Sequence, residues 1–333
     1  MEFADAIGDA SKRHQRSSVL LGNGFSIDFD PLFSYVSLMK AAELPKLSVD
    51  KEALFAAVDS TIFEVVVERL RTAAWLELLY GGSEDRAERF REDALVVRKG
   101  LADVIAALHP NSSQTPSPDE MAHAREFLHP FDEVFTLNYD MLLYWVIMSD
   151  SRVPAIPRND GFQRVGKTMK WEPQASQDVH FLHGALHLHR EDGCLFKLNR
   201  KQHGPIIRAI RQRLRADKYP LIVTEGSCEE KAGYIRRNSY LRDAHRRFAE
   251  CDGALFMHGV SISPNDDHIF EKIERPESRI EALYVGIHGG VGGATAESVF
   301  RRVEFMRHRR RENGGAKLRT RFYDSASAHV WRD

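Results

Sequence analysis

The sequence predicts an α/β fold: a mainly parallel sheet with helices on both faces, and a helical lobe inserted into it. Short apolar runs recur along the chain, at Ser18–Leu21, Val134–Leu137, Val179–Leu182, Ala254–Met257 and Leu283–Ile287. Several of them end in a small or polar turn residue such as Gly22, Asn138, His183 or Gly259. Stretches with helical spacing lie between many of them, and alternation of this kind builds a parallel sheet covered on both sides.

Taken in order, the first 16 residues are polar and read as a short helix, followed by the strand Ser18–Leu21. Residues 51–108 break the rhythm. Ile62, Val65, Val66 and Leu70, then Trp75, Leu78 and Leu79, recur at helical spacing. Gly81-Gly82-Ser83 divides this block, with Ser83 placed to cap the second piece. The block marks a helical insertion over about residues 45–120 within a single domain spanning 1–333. His109–Pro118, rich in Pro, Ser and Asn, is a loop or hinge.

Val134–Leu137 is a strand, and Ser149–Gln177 is a long irregular stretch with the look of a lid. Val179–Leu182 is a strand, and Leu186–Leu198 alternates about Glu191-Asp192-Gly193 as a β-hairpin. Leu221–Thr224 reads as a strand and Asn238–Ala249 as a helix. Ala254–Met257 and Leu283–Ile287 are strands, with a helix over His268–Ile273 between them. A glycine-rich turn, a helix from about Thr295 and a last strand, Thr320–Tyr323, complete the chain. The architecture is Rossmann-like.

Hydrophobic content of 43% and charged content of 29% are those of a soluble globular protein. A net charge of −1 supplies no overall drive toward nucleic acid or membrane. No apolar run reaches the roughly 20 residues of a spanning helix. Met1–Asp5 lacks the basic-then-apolar pattern of a signal peptide, so a cytoplasmic location is expected. The three cysteines, Cys194, Cys228 and Cys251, form no CxxC pair, which argues against a disulfide framework and a four-cysteine zinc site. The basic run from Arg301 to Arg311 lacks interleaved aromatics and reads as a solvated helix face.

Four motifs carry the chemistry. Gly22-Asn23-Gly24-Phe25-Ser26 turns from a strand toward a helix, where backbone N–H groups can meet a phosphate. The third glycine of a dinucleotide fingerprint is absent, with Ile27 in its place, and Ser26 could equally be a ligand or a helix cap. Thr136-Leu137-Asn138-Tyr139-Asp140 puts an amide and a carboxylate at a strand end. That amide could hold a ribose hydroxyl or a water, or simply make a turn.

His183-Gly184 offers a histidine as general base, although His258-Gly259 and His288-Gly289 have the same form. Gly259-Val260-Ser261-Ile262-Ser263, with Asp267 behind it, could line a dinucleotide, or Asp267 could be only a cap. The glycines at 289–293 could cradle a phosphate or be a plain loop. His180, His183, His187 and His189 are close in sequence but point different ways on a strand and hairpin, so no metal site is expected.

Together and in this order the motifs resemble those of the sirtuin-like family, in its bacterial, defence-type branch. The resemblance runs from about Ser18 to the last strand. It implies NAD as substrate or ligand, bound by Gly22, Asn23, Gly24, Phe25, Ser26, Asn138, Asp140, Gly184, Gly259, Ser261 and Asp267. It implies Asn138, His183 and Asp140 as catalytic residues, with His183 the base.

Two departures bear on activity. The first turn is Gly-Asn-Gly where sirtuins usually have Gly-Ala-Gly, and the zinc cysteines of protein-deacylating members are missing. Hydrolysis of NAD to nicotinamide and ADP-ribose is therefore the expected activity, held off until a trigger. A non-catalytic NAD or ADP-ribose module and an NAD-dependent deacylase are the alternatives. The resemblance also implies a homo-oligomer, a partner ATPase and a role in antiviral defence.

Overall fold

The computed structural model describes residues 1–148, 158–173, 176–224, 226–292 and 296–332. Helix α1 (Phe3–Arg13) precedes strand β1 (Ser17–Leu21). Six helices follow before the next strand: α2 (Gly24–Phe29), α3 (Tyr35–Ala41), α4 (Lys51–Val58), α5 (Phe63–Leu79), α6 (Glu84–Leu108) and α7 (Pro118–Leu128). Strand β2 (Glu133–Thr136) leads to α8 (Leu142–Met148), then to the hairpin β3 (Phe162–Val165) and β4 (Thr168–Trp171), and to β5 (Val179–Phe181). A second hairpin, β6 (Leu188–Glu191) and β7 (Cys194–Lys197), is followed by α9 (Arg200–His203), α10 (Ile206–Arg215), α11 (Cys228–Arg237) and α12 (Ser239–Ala249). The chain ends in alternation: β8 (Asp252–His258), α13 (Asp267–Glu274), β9 (Arg279–Ile287), α14 (Ala296–Glu312) and β10 (Arg319–Asp324).

Six strands form one sheet in the order β10-β9-β8-β1-β2-β5, and every pairing in it is parallel. Both faces are dry, and each strand feeds them alternately, as its two-residue period requires. Val19 and Leu21 enter one core with Val134, Phe181, Phe256 and Tyr284. Leu20 enters the other with Phe135, Leu182, Leu255 and Leu283. Helices α12, α13 and α14 cover the second face through Phe248, Ile269, Phe270 and Val303. Helices of the 51–108 block join the first, through Phe55, Phe63, Val66, Val97 and Leu101.

Strand order reverses at β1. The chain moves from β1 to β2 and β5 on one side, then returns to β8, β9 and β10 on the other. The gap between β1 and β8 is thus the topological switch point, where open α/β sheets hold ligands beyond their strand C-termini.

Local signals account for the helix starts. Ser83 Oγ accepts from Arg86 N at the start of α6, and Asn238 Oδ1 accepts from Leu241 N at 3.1 Å at the start of α12. Ser117 and Glu120 form a capping box that starts α7, a helix the sequence reading passed over.

Two expectations are corrected. Leu221–Thr224 is not a strand of the sheet; it makes one antiparallel bridge, Gly184 with Ile222. Within the stretch 149–177, residues 149–157, 174 and 175 lie outside the described residues, while 162–171 form the β3–β4 hairpin. That hairpin joins a second, antiparallel sheet in the order β3-β4-β7-β6. Of the glycine-rich turn, residue 293 lies outside the described residues, as does Thr295, the expected helix start.

Candidate functional site

The loops after β1 and β8 cross at the switch point, and glycine is what lets them cross. Gly22 N donates to His258 O and Gly24 N to Gly259 O, both at 2.9 Å. A Cβ on Gly24 would lie 2.5 Å from Gly259 Cα, and one on Gly259, whose φ is +64°, would lie 2.6 Å from Gly24 Cα. No side chain fits at either place. The Phe25 and Ser26 amides close the turn on Gly22 O and Asn23 O.

Ser26, Asn138 and Asp140 meet beside this crossing. Ser26 Oγ donates to Asp140 Oδ2 at 2.5 Å and accepts from Asn138 Nδ2 at 2.9 Å. Asn138 Nδ2 also lies 3.0 Å from Gly22 O. Asp140 Oδ1 accepts from Leu142 N at 2.8 Å, an Asx turn into α8. Burial raises the Asp140 pKa, while the Ser26 and Leu142 bonds pull it back down. Two motifs far apart in sequence are thereby pinned into one polar cluster. Next to it is a cavity of about 30 Å³, lined in part by Asn23, Phe33, Tyr35, Asn138 and Asp140, with room for about one water.

Other predicted residues are placed differently. The Phe25 side chain, expected at the cofactor, is a core group: its ring packs 5.1 Å from that of Trp331, whose Nε1 donates to Phe25 O. Asn23 Nδ2 donates to Phe33 O. The Asp267 carboxylate, also expected at the cofactor, is paired with Arg302 of α14, which in addition donates to Ile262 O at 3.0 Å. Arg302 thus clamps the loop after β8, in which buried Ile262 adopts φ +51°, an unusual conformation for a β-branched residue. Ser261 is exposed on that loop.

His183 follows β5 and is buried, 3% exposed. The segment after α10 straps its turn: Val223 N donates to His183 O at 2.8 Å and Ala185 N to Leu221 O at 3.0 Å. Gly184, at φ +74°, is demanded here, because a Cβ would lie 2.0 Å from Leu221 O. His183 Nε2 lies 3.0 Å from His268 Nε2 and 3.9 Å from Asp266 Oδ1. The Leu137 carbonyl bonds the same ring. Burial, then the Lys231 charge, push the His183 pKa well below its usual value.

A buried charged group surrounds this histidine, and the sequence reading missed it. Lys231 of α11, 2% exposed, lies 3.1 Å from Asp266 Oδ1. Burial alone would lower the Lys231 pKa; Asp266 and Glu64 more than offset that and raise it. Glu64, carried in by α5, is also buried, and burial raises its pKa. Its Oε1 lies 2.9 Å from the Tyr139 hydroxyl, which donates to Val223 O at 2.6 Å. The Tyr139 ring stacks at 6.3 Å on that of His183 and so links it to the Asn138 cluster. Asp266 and His268 had one visible signal, the run Asn265-Asp266-Asp267-His268 behind the Gly-x-Ser loop. Glu64 and Lys231 had none, each sitting on an ordinary amphipathic helix.

Among the described residues, the histidines at 180, 183, 187 and 189 do not assemble. His183, Asp266 and His268 do bring their donor atoms within 4.8 Å of one another. The Lys231 ammonium already occupies the cation place beside that Asp266 oxygen.

The fold and site thus define a doubly wound α/β protein with a polar cluster at its switch point. The chain belongs to the family described as Domain of unknown function (DUF4917), whose model matches residues 19–331. No curated protein matches it. It is similar to a solved structure of Sir2 homologues, a mutant in complex with 2′-O-acetyl ADP ribose. The identity is 15%, the match covers 94% of this chain and 98% of that one, and the TM-score is 0.32.

Proposed function

We propose that this chain binds NAD and hydrolyses its nicotinamide–ribose bond. The observation that supports the reading most is the meeting of Ser26, Asn138 and Asp140 at the switch point, with His183 one stacked ring away. These side chains offer the donors and acceptors that ribose hydroxyls and an attacking water need. In the reaction the bond from ribose C1′ to the nicotinamide nitrogen breaks and nicotinamide leaves with the bonding pair. Water adds to C1′ and gives up a proton. Asn138 holds a ribose hydroxyl or the water, Asp140 orients the cluster through Ser26, and the His183 pair receives the proton.

The reading includes a closed resting state. A dinucleotide needs a pocket of several hundred Å³, against about 30 Å³ beside Asn138. Phe33, Tyr35 and Leu38, which close that space, must shift for substrate to enter. A trigger is therefore part of the proposal, and a homo-oligomer or a partner ATPase in antiviral defence is the form it takes in this reading. The second reading, a binding module without turnover, is favoured by one observation: His183 Nε2 is already engaged by His268 Nε2 at 3.0 Å. Deacylation is set aside because three cysteines are too few for a four-cysteine zinc module.

Incubation of purified protein with NAD, followed by chromatography, tests this. Nicotinamide and ADP-ribose should appear in equal amounts and be lost in Asn138→Ala and His183→Ala. Saturable NAD binding without turnover would favour the module or an enzyme still held closed for want of its trigger. Full cleavage by both folded variants would refute the assignment of the site.

A further inference from the structure

We propose that a cavity between helix α10 and the loop after α6 binds a small anion bearing two or more phosphate groups, held by Arg208, Arg211 and Arg215. The inference stands apart from the NAD reading, since none of the residues lining this cavity lines the one beside Asn138.

Local sequence puts these side chains on one face. Arg208, Arg211, Gln212 and Arg215 stand at i, i+3, i+4 and i+7 and form a single stripe along α10. Ile207, Ile210 and Leu214 turn into the core. Residues 200–218 hold seven Lys and Arg against one acid, Asp217, although the whole chain has a net charge of −1. Two of the seven, Arg213 and Lys218, are paired with Glu191.

Tertiary packing makes the stripe the wall of a cavity of about 470 Å³, with Asn111 and Pro205 as the rest of its lining. Arg211 fixes that wall. Its guanidinium donates to three carbonyls at the C-terminal end of α6, Ala106 O at 2.8 Å, Ala107 O at 3.1 Å and His109 O at 3.0 Å. It also donates to Asn111 Oδ1 at 2.5 Å, which leaves the Asn111 amide N–H groups as free donors. Among the described residues, the Arg208, Gln212 and Arg215 side chains have no hydrogen-bond or ion-pair partner.

No carboxylate lines the cavity. Burial, then the charge of Arg215, lower the Arg211 pKa, with no acid to offset them. Asp103 lines a second hollow of about 340 Å³ that shares Arg211 and Arg215, yet the charges acting on it are those of Lys99 and Asp217. On α14, by contrast, Arg301, Arg302, Arg307 and Arg309 each meet a carboxylate.

Guanidinium groups that converge without a counter-ion make a place for an anion, and their planar fork suits phosphate. Turns of a helix are about 5.4 Å apart, so the three arginines present a row of charge about 10 Å long. One phosphate meets only part of such a row, whereas linked phosphates run along it. The cavity has the size of a small-ligand site. No aromatic side chain lines it, so nothing there stacks on a base. The site therefore reads phosphates, whether they come as free polyphosphate or on a nucleotide.

Calorimetry with sodium tripolyphosphate, ATP, inorganic phosphate and a single-stranded oligonucleotide tests this. Tripolyphosphate should saturate a single site, with ATP within about 10-fold of it and inorganic phosphate at least about 10-fold weaker. Arg208→Gln/Arg215→Gln changes exposed positions and should keep the wild-type unfolding temperature. It should weaken both tripolyphosphate and ATP at least about 10-fold, the effect of losing one charged hydrogen bond. No saturable binding of tripolyphosphate, or equal binding by the folded double variant, would overturn the proposal. So would inorganic phosphate that binds as tightly as tripolyphosphate. ATP tighter than tripolyphosphate by more than about 10-fold would show that a base is read, and an oligonucleotide bound in preference to both would show a nucleic-acid surface; either overturns the proposal. No arm uses NAD, so the result leaves the reading of the Asn138 site to its own test.

Discussion

Ser26→Ala should cost far more stability than one hydroxyl suggests, and the cost should depend on pH. Ser26 is fully buried and its Oγ makes two bonds, one to the Asp140 carboxylate at 2.5 Å and one from Asn138 at 2.9 Å. A hydrogen bond to a charged group contributes about 1.5–3 kcal/mol, and a neutral one about 1 kcal/mol. Asn138 Nδ2 keeps Gly22 O as a partner, so its loss is partial. Asp140 keeps Leu142 N and its own backbone N–H, but its Oδ2 loses the Ser26 hydroxyl. The expected loss is about 2–4 kcal/mol, a large share of the 5–15 kcal/mol typical of a folded domain.

The sign with pH follows from the same bonds. The Ser26 bond lowers the Asp140 pKa, so its removal raises that pKa beyond the increase burial already causes. The folded variant then holds the carboxyl proton more tightly than the unfolded chain does. Its deficit must grow as pH rises through the folded pKa and shrink as pH falls below it. Urea unfolding over a pH series that runs from the carboxylate range to pH 8 measures this. A deficit under about 0.5 kcal/mol would refute the pin, since that is the scale of an unremarkable substitution. So would an equal deficit across the whole series. Asp140→Asn should also cost less in the Ser26→Ala background than in wild type.

Gly184→Ala should destabilise by about 3 kcal/mol or more, since its Cβ meets a backbone oxygen at 2.0 Å in a left-handed conformation; thermal unfolding at the wild-type temperature would contradict this. Asp160→Asn should cost about 3–5 kcal/mol, because it strands Lys197, bonded to Asp160 at 2.6 and 2.8 Å and buried against the Tyr144 and Phe162 rings. The double variant Asp160→Leu/Lys197→Met should recover much of that loss in denaturant titration. His258 is buried with its pKa lowered to about 4 by burial. The unfolded chain binds that proton first, so stability is unaffected above about pH 6.5 and is lost as pH falls from there toward 4, by about 3 kcal/mol at the end. His258→Gln should flatten the acid limb of an unfolding-versus-pH curve, and an unchanged limb would show that His258 does not contribute.

Much of the fold was legible because burial writes a period into the chain. Five apolar runs stood out, and the alternation of Val19, Leu20 and Leu21 between the two cores follows from strand geometry alone. The four motifs were visible because strand C-terminal ends in such a sheet gather polar residues. Leu221–Thr224 misled for the same reason: it is apolar because it is buried, yet it straps the His183 turn and makes only one bridge. Phe25 and Asp267 were named for their place in the motifs, and only the structure shows the Phe25 ring packed on Trp331 and the Asp267 carboxylate paired with Arg302.

Residue type, local period and turn chemistry were thus settled by the chain itself, since each depends on neighbours within a few positions. The contents of the site were settled only in three dimensions. Ser26 meets Asp140 across 114 positions, and His183 meets His268 across 85. Lys231 and Glu64 arrive from helices whose sequences serve ordinary packing. A short-range pattern holds no record of which side chains a strand order will bring together, because that order is fixed by the packing of both cores against one sheet.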